Sequence, residues 1–586
     1  MKKIFLLLAV ASFVLTLVQQ AYAAPMLNFS DLVKGGRTGL TDGSVANQGA
    51  IVTIWGNNLG STQGTSKVYV GSDSGGWTEA AYVYTWVNAN GSNGGPSDLY
   101  SRQKMQEISF AISSSTATGS QKIKVIVGGV DSNQLDFEVT SSGNFYFVKS
   151  TGNNSNTGTW ASPWLTPQKC VDSMGTGGTC YIGTMTITAS PAVSMNTQGA
   201  SGNYKALIAY PNSSVVLDGG QTQSINTYCY SINGSAAYWV YSKFLLKQDG
   251  GRELGPYERF IGNACTESSA FAAGSGWITA SAANNDIGGW AIYGNYMYNI
   301  GSRSGMSNQS HVTYFSHRYW NTVPVAMKAF DFGWNHLKNN YARFGIHFYD
   351  EGSHASGQGR GQYETGTKIH ENVVEDQDGY CLDFNAGGGD DLFVLNDIYV
   401  YNNLFINCGL NRGGASGGQG AIYFYHDVSV TAHLWNNTIY GWGLNNTSSM
   451  LTLESFDTGG GHNWNIDWLN NIVQDVNNQS FFTQGSYTPN LPYIHSNNLW
   501  YSSFGQTIPS WDTSPMTSDP LFWNTSPQIR DFRLQSTPIM SPAIKAGVGT
   551  TIRKDMLGVI RPAAPSIGAF DFDSGAPIPK APVLKP

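Results

Sequence analysis

The chain has 586 residues, of which 13% are aromatic and only 12% charged, with 69 glycines and a formal net charge of −7. Its aliphatic and aromatic content can build a core, which excludes a disordered chain. The acidic balance argues against nucleic acid as a partner.

Residues 1–23 read as a secretory signal peptide. Lys2 and Lys3 give a basic start, Ile4 to Val18 are apolar, and Ala21-Tyr22-Ala23 offers a small-residue cleavage site after Ala23. That run is short for a membrane span and no later segment is longer. The expectation is a secreted or cell-surface protein with no membrane span. Beyond the leader, Asn, Ser, Thr and Gly crowd the gaps between short apolar runs, which predicts an all-β chain long enough for more than one domain.

Residues 25–140 alternate short β-prone runs with Gly/Asn turns, as a small β-sandwich does. The runs VTIWGNNLG (52–60), KVYVG (67–71) and IKVIVGGVDSNQLDFEV (123–139) resemble the IPT/TIG family of immunoglobulin-like domains. The resemblance implies a spacer or a module that contacts protein or glycan. SSGN at 141–144 reads as a linker.

The stretch after it resembles the start of secreted right-handed parallel β-helices, with Gly152, Gly158-Thr159 and Pro163 matching their opening pattern. An internal repeat follows: Asn with an apolar residue two positions on, at Asn295, Asn335, Asn372, Asn403, Asn437, Asn471 and Asn498. The gaps of 40, 37, 31, 34, 34 and 27 residues suit coils of a β-solenoid with variable loops, each Asn bonding to the next coil at a fixed corner. Residues 518–523, 531–547 and 555–572 look like the closing segments of such proteins, many of them polysaccharide lyases or glycoside hydrolases. The predicted fold is therefore all-β: a right-handed parallel β-helix over 145–572, preceded by a small immunoglobulin-like β-sandwich and followed by a Pro-rich tail at 573–586.

Six cysteines suit an oxidising compartment. Cys170 and Cys180 flank a short Gly-rich loop and are the first expected disulfide; Cys229–Cys265 and Cys381–Cys408 are further pairings. Without a CxxC, no zinc site is expected.

Stacking comparable runs predicts one outer column of Thr313, His347, Asp383, Tyr423 and Thr452, and a second of Phe315, Tyr349, Asn385, Tyr425 and Glu454. A one-residue slip would exchange inside for outside. Between residues 260 and 529 all eight Lys and Arg fall within 303–412, and six of the ten histidines share that stretch, so an anionic polymer would find its positive contacts there.

Two enzymatic readings follow. A lyase acting by β-elimination would use Arg343 or a cation on the uronate, His347, Lys338 or Lys368 as base, and Tyr349 as acid. A glycoside hydrolase would draw paired carboxylates from Asp350, Glu351 and Asp383, with Asp427 and Glu454 further along. His311, Lys338, Lys368, Tyr423, Tyr425 and Glu454 are candidate sugar contacts. No cofactor is required; Ca2+ is a possible ligand of acidic Gly-containing loops at Asp376, Asp378, Asp390 and Asp391. Each of these side chains also has a structural reading, as strand decoration or turn former. The expected partner is an extracellular polysaccharide. An adhesin or glycan binder remains the non-enzymatic alternative, since fold does not fix function.

Overall fold

The computed structural model describes residues 24–572 except 47, 93, 190–191, 219–226, 229–231, 234–235, 248, 251–254, 267–280, 283–287, 302–309, 320–325, 351–361, 387–392, 413–418, 426–427, 446, 455–463 and 485–494. The chain is all-β, with a right-handed parallel β-helix behind a small N-terminal β-sandwich.

The sandwich has one antiparallel sheet of Met26–Ser30, Gln48–Asn57, Gln106–Ser113 and Tyr82–Asn88. The other carries Lys34–Gly36, Leu135–Thr140, Gly119–Val127, Lys67–Ser72 and Gly76–Glu79. Alternating residues such as Ile54, Ile108, Phe110, Ile123 and Val125 fill the space between them. Residues 141–144 run closely along this unit, with Gly143 N–H donating to Thr38 O at 3.0 Å.

Among the described residues, three long parallel sheets form the solenoid. A long sheet runs from Phe145–Val148 to His495–Ser496, a second from Met185–Thr188 to Leu499–Ser502, and a third from Ser281–Ala282 to Ser480–Gln484. One coil shows the path: Asp331–Gly333 in the long sheet, His336–Lys338 in the second, Phe344–Asp350 in the third, then Lys368–His370 back in the long sheet. Val, Ile, Leu and Phe from all three sheets meet in one continuous lumen core.

The corner between the long and second sheets takes two residues. The first is left-handed, with φ of 50–68° at Lys243, Gly262, Gly294, Trp334, Glu371, Asn402, Asn436, Asn470 and Asn497. Glycine is needed at two of them, because the sandwich approaches there: a Cβ at Gly262 would sit 2.6 Å from the Trp55 ring, and one at Gly294 2.4 Å from Phe29.

From Asn263 onward the second corner residue is the ladder asparagine. Each side-chain oxygen accepts the backbone N–H of the residue at the same corner one coil earlier, Phe244 for Asn263 and the preceding ladder asparagine thereafter, at 2.8–3.0 Å. Each side-chain amide donates to a lumen-side carbonyl at 2.8–3.0 Å. All are buried, so the ladder satisfies corner backbone groups that strand pairing cannot reach. The repeat thus begins one coil before its first expected member, at Asn263.

Disulfides join Cys170 to Cys180 and Cys381 to Cys408, the second tying a third-sheet strand to the second-sheet strand of the next coil. Cys265 is also disulfide-bonded; Cys229 lies outside the described residues. No helix among the described residues is long and apolar enough to cross a membrane. The expected signal peptide and Pro-rich tail both lie outside the described residues.

The sandwich is clamped to the solenoid. Lys243 Nζ lies 2.7 Å from Glu107 Oε1 with both side chains buried, and the Tyr181 hydroxyl exchanges hydrogen bonds with the Ile51 backbone. The C-terminal segment packs Phe532, Ala543, Ile567 and Ala569 over Leu404, Ile472 and Leu499 of the second sheet.

Candidate functional site

The third sheet carries the residues singled out from the sequence. Its register pairs Tyr314 with His347, His347 with Asp383, Asp383 with Tyr423, and Tyr423 with Thr452. The neighbouring outer row runs Tyr349, Asn385, Tyr425, Glu454. Four of the five rungs match the expected stacking. The first is displaced by one residue: Phe315 pairs with Phe348 and, with Thr313, is buried, which turns Tyr314 outward into the His347 row. Phe315 is the bulkier apolar side chain, and its contacts with Phe330 and Phe348 decide the register.

His347 is only 2% exposed, and Asp383 is fully buried. His347 Nε2 lies 3.1 Å from Asp383 Oδ1, a close contact without hydrogen-bond alignment. On its other side His347 Nδ1 is 2.8 Å from His311 Nδ1, and the two rings stack with Phe344. A pair of facing Nδ1 atoms requires one protonated and one bare nitrogen. Burial, with the charges of His347 and Arg343, holds His311 well below the usual histidine range, so it is neutral at ordinary pH. Burial drives the Asp383 carboxyl well above its usual range, against the Arg343 charge and a hydrogen bond from Asn385.

An aromatic floor adjoins this group. Tyr380 stacks on Tyr423 with centroids 4.5 Å apart, and Tyr425 leans on Tyr423 at 4.9 Å. The Tyr423 hydroxyl donates to Glu454 Oε2 at 2.6 Å. Burial raises the phenols of Tyr380, Tyr423 and Tyr425, so all three are neutral hydroxyls able to donate. Arg343, Tyr349, Tyr425 and Glu454 are half-buried and form the side of the cluster open to solvent. Together the face offers neutral proton carriers, one cation and flat rings.

The structure gathers His311, Arg343, His347, Tyr349, Asp383, Tyr423, Tyr425 and Glu454. It places the remaining described candidates elsewhere. Lys338 lies on the second sheet, 3.6 Å from Glu375, and Lys368 on the long sheet, 3.9 Å from Asp331, so neither can serve as base beside His347. Asp376 takes a two-pronged contact from Arg530, and Asp378 is held by Arg412. Among the described residues no three His, Cys, Asp or Glu side chains gather as metal ligands. Glu351, Asp390, Asp391, Asp427 and the side chain of Asp350 lie outside the described residues.

Tyr314, Phe344, Tyr380 and Asn385 were not singled out as site residues. Two could have been found: Phe344 and Tyr380 open the strands that follow the one His311 opens, and Tyr380 precedes CLDF as Phe344 precedes GIHF. Tyr314 was hidden by the register slip.

No family model and no curated protein sequence matches the chain. Among solved structures it is similar to the pectate lyase Pel9A, at 14% identity over 73% of this chain and 96% of that one, with a TM-score of 0.40. It is also similar to a GH136 lacto-N-biosidase from Eubacterium ramulus, at 12% identity over 64% of this chain and 68% of the other, with a TM-score of 0.37. XylC in complex with xylose matches at 10% identity over 73% of this chain and 98% of that one, with a TM-score of 0.30.

Proposed function

We propose that the protein is an exported polysaccharide lyase that cleaves a uronate-containing polymer on the outer face of the third sheet. The observation that carries the reading is the His311–His347 pair, with His311 held neutral, set beside the Arg343 cation. β-Elimination needs a cation to draw electron density onto the uronate carboxylate, a neutral base for the C5 proton, and an acid for the departing oxygen. Arg343 supplies the first, and the histidine pair takes the proton as the C5–H bond breaks. A half-buried tyrosine, Tyr349 or Tyr425, returns a proton to the C4 oxygen as the C4–C5 double bond forms. Tyr380, Tyr423 and Tyr425 offer stacking surfaces for sugar rings. At 2% exposure, His347 meets a substrate only after the side chains over it part.

A second reading rests on Asp383. A carboxyl held protonated by burial is the general acid of a glycoside hydrolase, and Glu454 would then be the second carboxyl group of the pair. The disulfides and the leader-like N-terminus support export. The sandwich, IPT/TIG-like in sequence, acts as a fixed clamp on the first coils.

Incubating the purified protein with uronate polysaccharides tests this. Ultraviolet absorbance of an unsaturated product supports the lyase. New reducing ends without that absorbance support the hydrolase, and retention on the polymer with neither signal means a binding protein.

A further inference from the structure

A cavity of about 260 Å3 lies at the opposite end of the solenoid from the last coils, where the opening segment meets the sandwich. Its walls include Lys149, Trp160, Tyr181, Thr184, Tyr210 and Ser213. The volume falls just below the roughly 300–1,000 Å3 of drug-sized ligand sites, which suits one sugar ring and not an oligomer.

The glycines of the opening pattern shape this wall. A Cβ at Gly152 would lie 2.1 Å from Trp164 O, and one at Gly158 2.7 Å from the Trp164 ring, so the 149–164 loop closes tightly only with glycine at both positions. The loop then lays Trp160 against Tyr210, centroids 5.1 Å apart, and sets Lys149 Nζ 3.2 Å above the Trp160 ring.

The rings are fixed from behind. Asp42 of the sandwich accepts the hydroxyls of Tyr210, at 3.0 Å, and Tyr84 on one carboxylate oxygen. Its other oxygen accepts from Ser44 and Gln48. Both its oxygens are therefore engaged by neutral donors, and its charge reaches Lys149 without a direct contact. The Lys149 ammonium donates to Trp160 O at 3.1 Å, and among the described residues no carboxylate pairs with it. An ammonium carries three donors. The cavity thus holds a cation with spare donors against a pre-set aromatic wall, and Thr184 and Ser213 add hydroxyls.

We propose that this cavity binds a single acidic sugar unit, its carboxylate on Lys149 and its apolar side against the aromatic wall that Trp160 and Tyr210 form. The inference takes the class of molecule from the polysaccharide-acting reading, but its site is separate from the third-sheet groove. The chemistry that selects the ligand is a carboxylate joined to a six-membered ring with one apolar face. A neutral sugar lacks the charge, and a bare carboxylate lacks the ring.

The test is calorimetric titration of the full chain with galacturonic acid, galactose and acetate at neutral pH and low salt. It is run in an Arg343→Ala background, which removes the cation of the third-sheet groove. Saturable millimolar binding of galacturonic acid is expected, at least tenfold weaker for galactose and acetate, and weakened tenfold or more by Lys149→Met, which keeps the aliphatic stem. Trp160→Ala should do the same while Lys149→Met retains the parent melting temperature. Absent binding, equal binding of all three probes, or binding indifferent to Lys149→Met overturns the proposal. Activity on polymers does not enter the readout, so this result and the lyase assay fail independently.

Discussion

His311 and His347 face each other nitrogen to nitrogen, 2.8 Å apart across two rungs of the third sheet. Such a pair works as one acid–base unit, because each ring's protonation is set by the other. Replacing either histidine should lower turnover by about 10²–10⁴-fold, the usual worth of a general base. The double variant His311→Phe/His347→Ala should be no slower than the worse single one. Additive losses would mean two independent structural residues.

The same pair has a stability signature. The folded-state pKa of His311 is depressed, so the unfolded chain binds a proton that the folded one refuses. The stabilisation is fully present above the unfolded histidine value of about 6.5 and is lost as pH falls toward the folded value. His311→Phe keeps the stacking on Phe344 but removes the titration. Its melting temperature should therefore fall less steeply than the parent's between neutral and mildly acidic pH. Parallel acid limbs would refute the burial argument.

His370 carries the opposite sign. It lies between Asp331 and Glu371 at the long-sheet corner, and despite burial their charges push it up to about 9. The stabilisation is complete below about pH 6.5 and is lost as pH rises through 9. A shift of this size corresponds to roughly 3 kcal/mol. His370→Gln should lower stability most at pH 6 and much less at pH 9.5, read by urea unfolding at each pH. A pH-independent loss would mean that packing on Tyr401 and Trp334, not charge, is what His370 provides.

The ladder makes a prediction about corners. Asn403→Ala removes the acceptor for both the backbone N–H and the side-chain amide of Asn372. Two buried donors are orphaned at about 1–3 kcal/mol each, so the loss should be about 3 kcal/mol in chemical unfolding. A loss under about 1 kcal/mol would show that water replaces the amide at that corner.

These residues differ in how far the sequence announces them. The ladder was legible because its spacing repeats and asparagine has one job at a tight corner; only Asn263, followed by Cys265, escaped notice. The His347–Asp383 pairing was legible because strand alternation and apolar neighbours fix the register. Burial was not. His347 reads as a solvent-facing strand residue, yet it is covered, since alternation says which side a residue takes but not what lies over it. Lys338 and Lys368 were misplaced for a related reason. They lie near His347 in sequence, but one coil visits three sheets, and 9 or 21 residues carry the chain to another face. The His311–His347 contact rests on a local break in alternation, where side chains three residues apart stack on one face, as His311 on Tyr314 and Phe344 on His347, which no periodicity encodes.

The buried pair between Lys243 and Glu107 tests whether the sandwich is a clamp or a passenger. Lys243 occupies a solenoid corner and Glu107 a sandwich strand, 2.7 Å apart with exposures of 1% and 2%. Lys243→Met preserves most of the side-chain volume but leaves Glu107 without its cation. Breaking a buried pair from one side costs about 3–5 kcal/mol. If the sandwich is integral to the first coils, the loss should appear in the main unfolding transition, and adding Glu107→Gln should restore a good part of it. A variant that melts the sandwich separately, leaving the solenoid transition in place, would instead make the N-terminal unit an independent module.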